Sequence, residues 1–183
     1  MTTHATSRLI LPVSERDHIR GPVTALVSLV EYGDYECPYC GEAYPVVEEL
    51  QRVLGDRLRF VFRHFPLTQV HPHALGAAEA AEAAGAQKMF WEMHATLYTH
   101  QHALDGAHLI RYAIALGLDP TSFHQALDGR SYEARVREDF LSGVRSGVNG
   151  TPTFFVDGVR YDGPPEFDSL LAVLAEAAAA KVR

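Results

Sequence analysis

Residues 25–40 read Ala25-Leu26-Val27-Ser28-Leu29-Val30-Glu31-Tyr32-Gly33-Asp34-Tyr35-Glu36-Cys37-Pro38-Tyr39-Cys40, and their order decides the fold. Ala25 to Glu31 is a nearly continuous apolar run, the pattern of a strand buried on both faces. Gly33 and Asp34 are turn residues. From Cys40 onward Ala43, Val47, Leu50 and Leu54 recur at three- and four-residue spacing until Gly55, the pattern of an amphipathic helix with a glycine stop. Pro45 lies inside that helix and leaves the carbonyl of Gly41 without an amide partner. The two cysteines therefore stand where a buried strand hands over to a helix.

That position has chemical consequences. The first amides of a helix lack intrahelical partners, and the peptide dipoles place about half a positive charge there, so a thiolate is stabilised. Pro38 suits the first helical position, where its missing amide hydrogen costs nothing. Cys40 lies close to one turn beyond Cys37, so the two sulfur atoms come within reach of each other. The pattern predicts Cys37 as an exposed nucleophile and Cys40 as a more buried resolving thiol. Such a pair needs no cofactor beyond its own disulfide.

Magnitudes limit what the motif decides. Lowering a thiol pKa from about 8.5 to about 6.5 raises the thiolate fraction at pH 7 roughly 25-fold, while nucleophilicity falls about 8-fold. The same shift stabilises the reduced form by about 0.8 kcal/mol, or roughly 18 mV. Reducing and oxidising dithiols of this kind differ by about 150 mV. The motif names a reaction and leaves its direction open.

The rest of the chain fits around this unit. Leu58 to Phe65 reads as a second strand. From about Pro72 to Gly147 alanine-rich amphipathic segments follow one another: Phe90, Met93, His94 and Leu97 mark one helix face, Leu109, Ile110, Ala113, Ile114 and Leu116 another, and Asp119-Pro120 reads as N-cap and first helical residue of a third. Thr153 to Val156 is a strand, Asp157-Gly158 a two-residue hairpin turn, and Val159-Arg160-Tyr161 its partner. A last helix begins near Pro165 and buries Phe167, Leu170, Leu171 and Leu174. The expected organisation is a loosely structured N-terminal arm at 1–22, an α/β domain built from 23–66 and 148–183, and an all-helical insertion at 67–147. A β-α-β unit joined to a hairpin gives a mixed central sheet flanked by helices.

Composition narrows the function. The 183 residues carry a formal net charge of -7, which offers nucleic acid no basic face. No stretch approaches the roughly 20 apolar residues that span a bilayer. Met1 to Arg20 has no apolar signal core, so the expected location is cytoplasmic, where a close cysteine pair reads as redox or metal chemistry rather than a structural bridge. A zinc site usually shows two cysteine pairs, or one with a spaced histidine pair. Only two cysteines are present, beside ten histidines that include His71/His73 and His100/His102. Disulfide exchange is the expectation and no metal is assigned. His64, His71 and His73 read as caps or satisfied core residues.

Several residues support the pair. Glu31, six before Cys37, is a candidate proton acceptor for Cys40 acting through solvent. Asp34 and Glu36 oppose thiolate formation and are expected to be solvated. The segment Gly147-Val148-Asn149-Gly150-Thr151-Pro152-Thr153 opens a strand with a proline after a glycine-rich turn, which makes Thr151-Pro152 a candidate cis bond and the Thr151 backbone a candidate partner for an extended substrate. Of Tyr32, Tyr35, Tyr39 and Tyr44, Tyr39 is the one forced outward, between the cysteines, where it can meet substrate.

Residues 31–40, Phe62-Arg63-His64-Phe65-Pro66, Phe90-Trp91-Glu92-Met93-His94 and Gly150-Thr151-Pro152-Thr153-Phe154-Phe155-Val156-Asp157-Gly158 together resemble the DsbA-like thiol–disulfide oxidoreductases of the thioredoxin superfamily. The resemblance runs from about Gly21 to the C-terminus. It implies a thioredoxin-like fold interrupted by a helical domain, Cys37 as nucleophile, Cys40 as resolving thiol, a cis-Pro152 facing the dithiol and a buried acid at Glu31. It also implies protein or peptide thiols and disulfides as substrates, with a thioredoxin or glutathione system as recycling partner. Strongly oxidising members carry Pro-His between the cysteines, where this chain has Pro38-Tyr39. Two further readings stay open: a glutathione-dependent reductase or transferase acting on small molecules, and a peptide-binding chaperone with an incidental redox pair.

Overall fold

The structure is a computed structural model that describes residues 7–181. It divides into two compact units: residues 1–32, 42–63 and 141–183 form one, and residues 33–41 with 64–140 form the other. Residues 1–6 of the expected arm lie outside the described residues.

The first unit is built on a mixed five-stranded sheet in the order β1-β3-β2-β4-β5. Its strands are β1 (His18–Arg20), β2 (Val27–Gly33), β3 (Leu58–His64), β4 (Thr153–Val156) and β5 (Val159–Tyr161). Every residue of β2 is buried, as its unbroken apolar run requires of a central strand. β4 runs antiparallel to β2, with Leu29 opposite Val156 and Glu31 opposite Phe154. The β4–β5 turn places both Asp157 (φ 47°) and Gly158 (φ 80°) in the left-handed region, the geometry that matches strand twist in a two-residue hairpin. The carboxylate of Asp157 also accepts from the amide and hydroxyl of Ser28, tying the hairpin to the start of β2.

Helix α1 (Pro38–Leu54) connects β2 to β3 and continues through Pro45. Ala43, Val47, Leu50 and Leu54, its repeating apolar positions, are all buried. A 3-10 turn at Gly55–Arg57 ends it, with Gly55 at φ 52°. Helix α7 (Phe167–Ala180) packs on β4 and buries Leu170 and Leu174.

The N-terminal segment is not the loose arm expected of it. His18–Arg20 pairs antiparallel with β3, Leu9 donates its amide to Gly158, and Arg8 bridges to Val159. The anchor is Arg63 of β3, whose guanidinium is buried and bonded to Asp17 at 2.7 and 3.1 Å, to the carbonyls of Leu11 and Pro12, and to the hydroxyl of Tyr32. Burial alone works against the charged guanidinium, but the bonds to Asp17 and Tyr32 outweigh it and raise its pKa above the ordinary arginine value.

The second unit holds α2 (Ala74–Ala86), α3 (Phe90–Thr99), α4 (Gly106–Ala115), α5 (Pro120–Asp128) and α6 (Glu133–Arg145) as far as Phe140. Helix α2 is its centre. Ala77, Ala78, Ala80, Ala81, Ala83 and Ala84 are buried around almost its whole circumference, and it meets α3, α4 and α5. Small side chains allow that close approach from several sides. Asp105 and Asp119 cap α4 and α5 through their carboxylates, and Pro120 is the first residue of α5. On α4 only Leu109 and Ala113 are buried; Ile114, expected on the same face, is 57% exposed. The stripe is a narrow i, i+4 pair, and Ile114 lies one residue, about 100°, round from it.

Candidate active site

Asp34 is the hub of the turn that delivers the cysteines. Its carbonyl accepts from the amide of Cys37 at 3.2 Å and its own amide donates to Sγ of Cys40 at 3.5 Å. Its carboxylate accepts from the amides of Glu36 and Leu67 at 2.8 Å each, and pairs with Nδ1 of His71 at 2.8 Å. Asp34, expected to be solvated, is instead buried, with its side chain 0% exposed. A carboxylate taken out of water must be bonded on its oxygens, and two amides and an imidazole do this. Glu36, also expected to be solvated, accepts from the amide of His73 at 2.6 Å. His71 is thus a partner of Asp34, and His73 serves through its backbone.

Cys37 immediately precedes α1, and its carbonyl accepts the first helical bond, from Gly41. Pro38 opens the helix. Gln101, in the connection between α3 and α4, donates from Nε2 to the carbonyls of Tyr35 (2.9 Å) and Cys37 (2.8 Å) and so holds the turn from the other side. Gly41 makes room for it: a Cβ there would lie 2.0 Å from Oε1 of Gln101. Tyr35 is buried among aromatic rings, with its hydroxyl 3.0 Å from Nδ1 of His94 and its ring centroid 4.9 Å from that of Tyr98.

Both cysteines are free thiols lying close together without a bond. Cys40 is 0% and Cys37 3% exposed, so the expected exposed nucleophile is in fact buried, though slightly less than its partner. The outward positions of the first helical turn belong to Pro38 and to Tyr39, which is 66% exposed. Residues three apart share a helix face, so turning Tyr39 outward turns both cysteines inward.

Glu31 lies inside β2 and is 2% exposed, so it is not a strand-end acid in contact with water. The Thr151–Pro152 peptide bond is cis, and Pro152 immediately precedes β4. Glu31 faces Phe154 across the β2–β4 ladder, two residues beyond Pro152. Glu31, Thr151 and Pro152 belong to the sheet unit, whereas Cys37, Pro38, Tyr39 and Cys40 belong to the helical one. Sequence reasoning missed His71 as a partner of Asp34 and did not single out Gln101 at all. Neither carries a local signal, since they are 37 and 66 residues from the turn groups they hold.

Comparison with known proteins agrees with this architecture. The thioredoxin family model matches residues 13–176. Among solved structures, oxidised BdbD from Bacillus subtilis superposes with a TM-score of 0.84 at 19% identity, covering 95% of this chain and 97% of that one. Wolbachia pipientis alpha-DsbA1 gives 0.79 at 20% identity over 96% and 98%. A thioredoxin-like oxidoreductase from Silicibacter pomeroyi gives 0.76 at 26% identity over 90% and 93%. The chain belongs to the thioredoxin family, with the DsbA-like form of its fold. In sequence it is similar to Na(+)/H(+) antiporter NhaA 3 of Salinispora tropica, 50% identical over 177 residues, which are 96% of this chain and 27% of that protein. It is also similar to NhaA 1 of Mycobacterium sp. strain KMS, 46% identical over 169 residues, 91% of this chain and 28% of that one. The chain spans about a quarter of the length of these curated relatives. No helix among the described residues is long and apolar enough to cross a membrane.

Proposed function

We propose that this chain exchanges disulfides with protein or peptide substrates through Cys37 and Cys40. The observation that carries this is a pair of neighbouring free thiols at the mouth of α1 in a thioredoxin fold. In the reducing direction the Cys37 thiolate attacks one sulfur of a substrate disulfide; an S–S bond forms at Cys37 and the other substrate sulfur leaves as a thiolate. Cys40 loses its proton and attacks Sγ of Cys37, the mixed disulfide breaks, and the second substrate thiolate leaves. Two electrons pass to the substrate and the Cys37–Cys40 disulfide remains. The oxidising direction is the same path reversed.

Helix geometry supports these roles. The carbonyl of Cys37 is engaged by Gly41 and Gln101, while the first amides of α1 have no intrahelical acceptor and favour negative charge on the neighbouring sulfur. Glu31 is assigned the proton of Cys40, passed through solvent, because burial disfavours the charged carboxylate and so strengthens it as a proton acceptor. Thr151 and cis-Pro152 are assigned to an extended substrate backbone, and the exposed ring of Tyr39 to its side chains. Glutathione or a thioredoxin-like donor is assigned the recycling step. The antiporters' ion exchange is not assigned to this chain.

The test is equilibration in a glutathione redox series, with free thiols alkylated and counted by mass. A two-electron transition between dithiol and disulfide is expected, and Cys40→Ala is expected to accumulate mixed disulfides on Cys37. A dithiol that stays reduced throughout, or a Cys40→Ala protein that accumulates no adduct on Cys37, overturns the assignment.

A further inference from the structure

The segment between the cysteines, Pro38-Tyr39, contains no cation, and the turn before it is acidic, with Asp34 and Glu36 both within three residues of Cys37. Negative charge that close opposes a thiolate. Of the two carboxylates Asp34 is the more deeply placed, and it is bonded at 2.8 Å to the imidazole of His71, whose side chain is 18% exposed. The remaining bonds of that carboxylate come from neutral amides, those of Glu36 and Leu67.

We propose that His71 is a positioning residue of the dithiol: as an imidazolium on the Asp34 carboxylate it cancels the acid's charge and favours the thiolate of Cys37. This rests on the disulfide-exchange reading and adds the group that supplies the missing cation. Burial alone would lower the pKa of His71. The hydrogen bond to Asp34, the charge of Asp34, and then the charges of Cys37 and Glu36 outweigh burial and raise it above the ordinary histidine value. Asp34, Cys37 and Glu36 belong to the turn between β2 and α1. Whatever the Cys37 thiolate contributes to holding the proton on His71, the protonated imidazole contributes equally to stabilising the thiolate, because the coupling between two sites is reciprocal.

Reciprocity makes the inference testable in the wild-type protein. The imidazole of His71 is titrated by NMR in the dithiol and disulfide forms, and the Cys37 thiolate by its ultraviolet absorbance. His71 is expected to titrate higher in the dithiol form, where the thiolate is present. His71→Gln is expected to raise the Cys37 pKa by about half to one unit, cutting the thiolate fraction about three- to tenfold where the thiol form predominates. His71→Lys, which keeps the charge, is expected to restore most of the loss. A His71 pKa that does not differ between the two forms overturns the proposal, and so does a Cys37 pKa unmoved in a folded His71→Gln. Should His71→Gln not fold, the wild-type comparison decides alone. Glutathione equilibration of the same samples reports whether the pair exchanges at all, so failure of the function and failure of this inference are separate results.

Discussion

Gly41 and Gln101 are linked by a steric fact that separates two opposing effects. A Cβ at position 41 would lie 2.0 Å from Oε1 of Gln101, so Gly41→Ala must displace an amide that holds the carbonyls of Tyr35 and Cys37. Alanine gains about 1 kcal/mol over glycine inside a helix, and each lost hydrogen bond costs about 0.5–1.5 kcal/mol. The losses should equal or exceed the gain, leaving Gly41→Ala neutral to about 2 kcal/mol less stable. In a Gln101→Ala background nothing remains to collide, and the same substitution should stabilise by about 0.5–1 kcal/mol. Urea midpoints of the four proteins measure the cycle; an identical effect of Gly41→Ala in both backgrounds means that Gln101 does not brace the turn. At this scale the sequence was partly legible. Cys37, Pro38 and Cys40 were placed by a local code of turn, N-terminal proline and helical spacing. Asp34 was misread because a turn acid ordinarily reaches water, and what removes it from water is Leu67 and His71, 33 and 37 residues on.

Elements were legible where their signal is contained in their own residues. β2 carries a continuous apolar run, α1 a three-four repeat with a glycine stop, and the β4–β5 hairpin an Asp157-Gly158 turn. β1 has none of these: His18-Ile19-Arg20 is too short for a pattern, and its place at the sheet edge depends on Arg63, 46 residues from Asp17. The stability of this edge accordingly rests on a buried ion pair whose side chains are 3% and 4% exposed. Removing one partner of such a pair leaves the other charged and buried, which costs about 3–5 kcal/mol. Asp17→Ala should therefore lower stability by about that amount, far more than the 0–1 kcal/mol typical of a surface ion pair. Denaturant unfolding gives the number, and a loss under about 1 kcal/mol would show that β1 and its anchor are dispensable to the sheet.

For the whole molecule, the direction of electron flow is a difference in stability between two forms of one fold. Helices in the region 67–147 were legible from periodicity; that residues 33–41, with both cysteines, cluster with those helices rather than with the sheet was not, because it follows from long-range bonds made by Asp34 and Gln101. Those bonds bear on the redox balance. A disulfide spanning only the four residues Cys37 to Cys40 constrains the unfolded chain little, by about 2 kcal/mol in the chain-entropy model. The reduced form alone gains from a thiolate at a helix N-terminus, up to about 2 kcal/mol when partly buried. A coupling of half to one pKa unit with His71 adds about 0.7–1.4 kcal/mol. The opposing contributions nearly balance, with the reduced form ahead by about 1 kcal/mol. Wild-type dithiol and disulfide forms should therefore unfold at similar urea concentrations, the dithiol slightly later, and His71→Gln should abolish that difference. A disulfide form more stable than the dithiol by over about 2 kcal/mol in the wild type would instead make the chain a reductant, with the unfolded-chain constraint outweighing everything the turn does for the thiolate.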